Sequence, residues 1–354
     1  MKTYLVTGGA GFIGSNFVIY MLNKYSSIRI INLDKVTYAG NLENLKEVKN
    51  KPNYVFVKGD ICDKELVEEL FKKYDIDHVV NFAAESHVDR SIREPEIFVK
   101  TNVLGTVTLL STAKKSWETK TGFKEGKKYI QISTDEVYGS LGENDYFIET
   151  TPLDPHSPYS ASKASADLIV KAYYDTYRMP INITRCSNNY GPYQFPEKLI
   201  PLLINNCLNH KDLPVYGDGL NIRDWLYVKD HCKAIDMVIN KGRIGETYNV
   251  GGYNERTNIQ IVKLVIKYLN EKVDENITED LIKYIEDRKG HDRRYAIDST
   301  KIKYELGWRP ETNFEVEIEK TIEWYLDNQE WISNITSGEY KNYYKGMYES
   351  KLSS

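Results

Sequence analysis

Apolar residues recur along this chain in two alternating patterns. Short apolar runs end on glycines or acids, and each is followed by a longer segment whose apolar positions return every three to four residues. Thr3 to Gly14, TYLVTGGAGFIG, is the first case: a strand that breaks into glycines, followed by an amphipathic segment of helical period from Phe12 to Tyr25. The alternation continues through strands over Arg29 to Asp34, Tyr54 to Gly59 and His78 to Ala84, with helices over Lys64 to Tyr74 and from about Glu96 to Ser116. A fifth strand holds Tyr129, Ile130 and Ile132. Strands alternating with helices predict an α/β fold, a doubly wound parallel sheet of Rossmann type.

The second half is less regular. Leu141 to Pro158, rich in Pro, Asp and Gly, reads as a mobile flap or a connection, and Ser157 and Pro158 mark the start of a helix over Tyr159 to Tyr177. A sixth strand ends in RCSNNYGP, Arg185 to Pro192, and Glu197 to Leu199 open a further helix. Leu306, Gly307, Trp308 and Pro310 read as a helix end and turn before an amphipathic helix from about Phe314 to Tyr325. The expected organisation is a Rossmann domain over 1–190 to which about 219–250 return, and a smaller C-terminal substrate-binding lobe over 191–330. A tail over 331–354 completes the chain, and its Tyr343, Tyr344 and Tyr348 belong to no motif.

Length and charge narrow the partners. A chain of 354 residues with 41% hydrophobic positions has room for about two domains. The net charge of −4 and the lack of a Lys/Arg run give no surface for nucleic acid. With no apolar run near the roughly 18 residues of a membrane span and no signal-peptide pattern, a cytoplasmic protein without a membrane partner is expected. Cys62, Cys186, Cys207 and Cys232 are scattered, without CxxC or a His cluster, so free thiols and no metal site are expected.

The candidate chemistry lies at the ends of the strands. Gly9, Gly11 and Gly14 fit GxGxxG, and Gly8, Gly11 and Gly14 fit GxxGxxG; both let backbone approach a pyrophosphate at a helix N-terminus. Asp34, twenty residues after Gly14, stands where a carboxylate bonds a ribose 2′-hydroxyl and repels a 2′-phosphate, which favours NAD over NADP. Asp60 and Ile61 could flank the adenine or simply end a strand. Ala83 to Ser91, AAESHVDRS, puts small residues where the second half of a dinucleotide would lie, with Ser86 as a site candidate and His87 as either a site residue or a structural one.

The fifth strand ends in Thr134, Asp135 and Glu136. On an extended backbone the two carboxylates point to opposite sides, with Thr134 on the side of Glu136, so that an acid and a base address different atoms of one substrate. The competing reading is a solvated turn or helix cap. Tyr159 and Lys163, four apart, share a helix face, and an ammonium beside a phenol lowers its pKa so that it accepts a proton from a hydroxyl near neutral pH. Arg223 and Arg288 suit a diphosphate, with solvated loop charges as the alternative.

TGGAGFIG, AAESHVDRS, STDEVYG, YSASK and RCSNNYGPYQFPEKLIP together resemble the extended short-chain dehydrogenase/reductase family, from the first strand to about Leu326. Asp-Glu after Thr134 resembles its nucleotide-sugar 4,6-dehydratase branch. The resemblance implies an NAD cofactor held by Gly8, Gly11, Phe12, Ile13, Gly14, Asp34, Lys35, Thr37, Asp60, Ile61, Ala83, Ala84, Thr101, Tyr159, Lys163 and Asn188. It implies substrate contacts from Ser86, His87, Thr134, Asn188, Glu197, Lys198, Leu199, Pro214, Tyr216, Arg223, Asn258, Arg288 and His291, with dTDP-glucose as the substrate. The implied reaction oxidises C4, eliminates water across C5 and C6, and returns the hydride to C6. Tyr159, helped by Lys163 and Thr134, takes the O4 proton; Glu136 is the base at C5; Asp135, protonated by burial beside Glu136, is the acid at O6. A homodimer through the Glu96 to Ser116 and Tyr159 to Tyr177 helices is also implied. The alternatives are a nucleotide-sugar epimerase or decarboxylase, and a non-catalytic NAD-binding sensor, against which the intact Tyr159, Lys163, Asp135 and Glu136 speak.

Overall fold

The first strand, β1 (Lys2–Thr7), is buried beyond its first residue, and its alternate side chains enter different cores. Tyr4 and Val6 pack with Phe17, Val18 and Met21, whereas Leu5 packs with Ile31, Val79 and Leu109. A strand with apolar groups on both faces must lie between two helical layers. The computed structural model describes residues 1–336, so Tyr343, Tyr344 and Tyr348 of the expected tail lie outside the described residues.

The first layer runs from β1 through α1 (Phe12–Lys24), β2 (Ile28–Asp34), β3 (Tyr54–Lys58), α2 (Lys64–Lys73), β4 (His78–Asn81) and α3 (Val88–Arg93). A long helical stretch then begins as α4 (Pro95–Phe98), passes through a π-helical segment (Val99–Leu104) and continues as α5 (Gly105–Trp117). After it come β5 (Lys128–Thr134), α6 (Pro158–Tyr177) and β6 (Ile181–Cys186). Chain order then turns to a second core with β7 (Asn188–Tyr190), α7 (Leu199–Leu208), β8 (Leu213–Tyr216) and β9 (Ile222–Tyr227). The remainder is α8 (Val228–Lys241), β10 (Thr247–Val250), β11 (Glu255–Thr257), α9 (Asn258–Lys272), β12 (Ile282–Ile285), α10 (Thr300–Leu306), α11 (Phe314–Asp327) and α12 (Gln329–Thr336).

The main sheet has seven parallel strands in the order β10-β6-β5-β4-β1-β2-β3. Strand order reverses between β1 and β4, and ligands of such sheets bind outside the carboxyl ends at that point. β10 closes the far edge against β6, and α8 packs Val228, Cys232 and Ile235 into the same core as Phe17 and Met21. The chain leaves the sheet at Ser187: β7 pairs with β9 instead, and Tyr190, Trp225, Leu203, Val262 and Phe314 form a separate core.

Two local features position the ends of the strands. The helix expected over Glu96 to Ser116 is interrupted by the π-helical turn, which turns Asn102 inward. Asn102 accepts from the Glu85 N–H at 2.8 Å and donates to the Glu85 carbonyl at 3.0 Å and to Ser162 Oγ at 2.8 Å, tying the segment after β4 to α6. The loop expected as a flap or connection is a connection. Leu141 and Phe147 donate their N–H groups to the Arg294 and Ala296 carbonyls, and the buried Phe147 ring stacks on Tyr138 at 5.0 Å.

Beneath the end of β5 lies a buried polar chain. Asp167 Oδ2 accepts from Arg185 Nε at 2.9 Å and from Ser133 Oγ at 3.0 Å. Arg185 also donates to Tyr138 Oη at 2.9 Å, and Tyr138 donates to Asn249 Oδ1 at 2.8 Å. Removing one partner of a buried ion pair strands the other charge. Asp167→Ala is therefore expected to lower unfolding free energy by about 3–5 kcal/mol in urea titration; a change within the range of surface substitutions would mean that Arg185 finds water or another partner.

Candidate active site

Three glycines shape one end of the site. Gly8 has φ +70°, and a Cβ there would sit 2.6 Å from the Ala83 nitrogen. A Cβ at Gly14 would sit 2.2 Å from the Gly8 carbonyl oxygen, so α1 rests directly on the turn. The N-cap of α1, Gly11, makes no side-chain capping bond, and the first turn holds no acidic residue. The positive end of the helix and its unbonded N–H groups thus face a cavity lined by Gly8, Gly11, Phe12, Ile13 and Gly14, a fit for a pyrophosphate.

The same cavity runs past Asp34, Lys35, Thr37, Asp60, Ile61, Ala83, Ala84 and Thr101 and reaches Tyr159, Lys163 and Asn188, so all the expected cofactor contacts share one space. Asp34 accepts from Ala10 N at 2.8 Å and Val36 N at 2.7 Å, and burial raises its pKa. Its carboxylate therefore braces the glycine turn as well as facing the cavity, a second task that sequence spacing does not reveal. Asp60 is paired with Lys35 at 2.9 Å.

At the other end stand Thr134, Asp135 and Glu136, also lining the cavity. The extended backbone expected here is not found: Asp135–Tyr138 is a single 3-10 turn, closed by Gly139 at φ +86°. Thr134 Oγ1 accepts from the Glu136 N–H at 3.3 Å and donates to Asp135 Oδ1 at 3.2 Å. A hydroxyl at the strand end captures the next free N–H, and that cap bends the chain at once. Thr134 is thus the cap, while Asp135 is only 1% exposed, which excludes the solvated-turn reading.

The titration of the cluster is set by burial. Asp135 is pushed well above the ordinary carboxylate range by desolvation and by the charges of Glu136 and Asp224. Glu136 is also raised by desolvation, but Arg223, Lys198 and Arg288 oppose the rise. The expectation of a lowered Tyr159 is corrected. Desolvation and the Glu136 charge hold its phenol well above its usual value, with a hydrogen bond to Thr134 acting the other way. Lys163 does not offset this, because its ammonium donates to the Ile132 carbonyl at 2.7 Å and burial lowers its own pKa. Two buried oxygens on the cavity wall, Asp135 Oδ2 and Asn188 Oδ1, have no hydrogen-bond partner among the described residues. Buried oxygens of this kind point to a ligand.

The expected substrate residues divide into two groups. Ser86, Thr134, Asn188, Glu197 and Lys198 line the cavity with the residues above. His87 lies behind it: Nδ1 accepts from the Arg90 N–H at 3.3 Å, Nε2 lies 4.0 Å from Glu197, and burial keeps the ring neutral. Leu199, Pro214, Tyr216, Arg223, Asn258, Arg288 and His291 are not on the cavity wall. Arg223, Tyr216, Arg288 and His291 gather instead in the second lobe. Arg223 stacks on Tyr295 at 4.3 Å and donates to the Asp292 carbonyl at 3.0 Å, and at 7% exposure it is no solvated loop charge. Arg288 stacks on Tyr216 at 4.6 Å and lies 3.4 Å from Asp89, and the His291 and Tyr216 rings meet at 6.2 Å. Pro214 is within β8, and Leu199 and Asn258 open helices α7 and α9. Sequence reasoning missed Glu85, Ser133 and Phe195 on the cavity wall and Tyr295 beneath Arg223. Glu85 lies inside the segment AAESHVDRS and Tyr295 a few residues after Arg288 and His291, so both stand close to positions already singled out, without a local reason to choose them. Among the described residues no group of His, Cys, Asp and Glu could hold a metal ion.

Comparison with known proteins agrees with this geometry. The family described as GDP-mannose 4,6 dehydratase matches residues 5–321. The chain is similar to a dTDP-glucose 4,6-dehydratase of Xanthomonas campestris, 52% identical over 345 residues that cover 96% of this chain and 98% of the relative. Among solved structures it is similar to a dTDP-glucose 4,6-dehydratase from Bacillus anthracis in complex with NAD, at 53% identity and TM-score 0.85 over 95% of this chain and 100% of that one. A dTDP-glucose 4,6-dehydratase from Streptomyces venezuelae with NAD bound superposes with TM-score 0.87 at 44% identity, over 94% of this chain and 99% of that one.

The raised carboxyl of Asp135 has a consequence for stability. Folding holds on this group a proton that the unfolded chain has lost above about pH 4. The native state is therefore penalised increasingly as pH rises from there towards the folded pKa. Asp135→Asn carries no such proton and is expected to be more stable than the parent at pH 7, with the advantage shrinking towards pH 4. Calorimetric melts at both values check this; an equal difference at the two would show that the carboxyl ionises normally.

Proposed function

We infer the chemistry from one premise: the chain belongs to the dTDP-glucose 4,6-dehydratases of the extended short-chain dehydrogenase/reductase family. It is an NAD-dependent hydro-lyase that converts dTDP-glucose to dTDP-4-keto-6-deoxyglucose and water. One observation carries this reading: two adjacent carboxyl groups, the buried Asp135 and the partly buried Glu136, stand beside Tyr159 in the cavity that begins at the glycine turn.

Bound NAD supplies a reversible hydride acceptor for C4 and C6 and a positive charge at that end of the cavity. The protons fall to the side chains. Tyr159, hydrogen-bonded to Thr134 and one helical turn from Lys163, takes the O4 proton as C4 is oxidised; for this its phenol must be ionised, and the positive charge brought by the cofactor is what would oppose the burial that raises it. A ketone at C4 acidifies the C5 proton, which Glu136 removes; its pKa, raised by burial, makes it a stronger base than an exposed carboxylate. Asp135, raised further because it feels Glu136 without the same share of cations, keeps its proton and delivers it to the departing O6 hydroxyl. Its buried Oδ2, which has no hydrogen-bond partner among the described residues, supports this role. Water is lost with the pair's proton count unchanged; Glu136 then gives a proton back to C5 as C6 is reduced, and the proton that Tyr159 took from O4 makes good the one that Asp135 lost to water. A C4 epimerase or a decarboxylase does not need this acid and base at O6 and C5, and a sensor needs no proton donor, so none of these alternatives accounts for placing both carboxyl groups on the cavity wall.

Arg223 and Arg288 would grip the diphosphate, with Tyr216 and His291 nearer the base. Two chains would pair through α5 with its preceding π segment and through α6. Support comes from apolar side chains left in water there: Val99, Leu104 and Leu168 are 51%, 55% and 60% exposed. A cytoplasmic setting is supported by four free cysteines, three of them buried. Among the described residues no helix is long and apolar enough to cross a membrane.

With dTDP-glucose deuterated at C4 and run in ordinary water, the label is expected at C6 of the product, and unlabelled substrate in heavy water should gain deuterium at C5. Glu136→Gln should reduce bound NAD but stall before C5 exchange, whereas Asp135→Asn should exchange C5 and lose water slowly, as read by proton NMR. A product inverted at C4 that keeps its C6 oxygen would replace the dehydratase with an epimerase.

Asp34→Ala is expected to weaken NAD binding by about 1–3 kcal/mol, the size of a charge-assisted hydrogen bond, and to narrow the preference over NADP. Titrations with both cofactors measure it. Unchanged affinities would leave Asp34 only its bracing of the glycine turn.

A further inference from the structure

The segment after β2 supplies Thr37, Ala39 and Gly40 to the cavity wall, and the segment before α7 supplies Gln194, Phe195 and Glu197. These two stretches come from different lobes and are joined between Tyr38 and Glu197, where the phenol donates to Glu197 Oε1 at 3.1 Å. The Tyr38 ring meets the edge of Phe195 at a centroid distance of 5.6 Å, and on its other contact the Arg90 guanidinium lies 4.7 Å from its centre. Arg90 is itself held by Glu85 at 3.2 Å. Glu197 is 4% exposed, so the bond is sheltered from water and stronger than a surface contact. Two weaker stitches join the same lobes nearby, Asn16 Nδ2 to the Pro192 carbonyl at 3.0 Å and Tyr193 Oη to Glu47 at 3.4 Å.

A dinucleotide reaching from Asp34 past the glycine turn to Tyr159 occupies a cavity whose two lobes are joined at this bond. We propose that the Tyr38–Glu197 bond is a strap across the bound cofactor that sets its rate of release. Retention of the cofactor between the two hydride steps is what the redox-neutral chemistry requires. A hydride taken from C4 must return to C6 of the same sugar, and a cofactor lost between the two steps leaves a keto sugar unfinished and a reduced nicotinamide with no acceptor. The substrate exchanges every turnover while the cofactor need not, so a bond between the lobes serves retention of one without blocking the other. Tyr38 and Glu197 act here as positioning residues.

The test loads the whole protein with radiolabelled NAD and tracks its loss into excess unlabelled NAD. Tyr38→Phe keeps the ring for Arg90 and Phe195 and removes only the hydroxyl; it is expected to release NAD up to about ten-fold faster, as for the loss of one buried hydrogen bond. Glu197→Ala should release it at a similar rate, and the double variant no faster than the quicker single one. The ligand-free melting temperature of Tyr38→Phe should match that of the parent. A release rate within two-fold of the parent, or effects that multiply in the double variant, overturns the strap. A lower melting temperature with unchanged release assigns Tyr38 to packing. The strap rests on NAD occupying this cavity, so a parent that binds no NAD overturns that assignment and the strap with it.

Discussion

The buried pair of Asp167 and Arg185 is the contact on which the site depends. Asp167 is on α6, one turn beyond Lys163; Arg185 is at the end of β6, where the chain leaves the sheet; and Ser133 and Tyr138 bracket the turn that carries Asp135 and Glu136. A single carboxylate and a single guanidinium thus hold in register the three elements that meet at the titratable cluster. Burying both charges is expensive, and their mutual attraction offsets that cost only when the remaining donors and acceptors are also satisfied. Here most are: the pair shares its bonds with Ser133, Tyr138 and, through Tyr138, with Asn249 on the edge strand β10. Half of such a network would be worse than an apolar core.

Above this network the site works by withheld solvation. Every acid in the cluster is raised chiefly because water is excluded, and what distinguishes one acid from the other is the field of cations. Glu136 feels Arg223, Lys198 and Arg288, which come after the point where the chain leaves the main sheet, whereas the charges that act most strongly on Asp135 are the carboxylates of Glu136 and Asp224. The first lobe therefore supplies the pair and the second lobe makes its members unequal. Such an arrangement sets stability against function, since groups held away from their ordinary ionisation penalise the folded state.

The local parts of this protein were legible in its residues. Strand, glycine turn and helix follow from a short apolar run broken by Gly8 and Gly14; the acid at Asp34 follows from strand length; and Tyr159 and Lys163 share a face because they are four apart on a helix that Ser157 caps. These depend on neighbours within a turn or a strand, which is the range over which sequence pattern acts. The seven-stranded parallel sheet follows from the same alternation.

Features that cross the molecule were decided only by the tertiary structure. The run through Thr134, Asp135 and Glu136 reads as an extended strand end, yet the cap bond from Glu136 N to Thr134 folds it into a turn. The phenol of Tyr159 was expected low beside Lys163 and is held high, because desolvation sums over everything packed around it while the lysine turns to the Ile132 carbonyl. Arg223 reads as either a diphosphate ligand or a solvated loop charge and is buried on Tyr295, and Tyr38 and Glu197, which no motif links, meet across the lobes. Sequence alone determined which chemical groups this protein carries and the strand ends on which they stand. Their burial, their partners and hence their ionisation are properties of contacts between residues far apart in the chain, and only folding creates those.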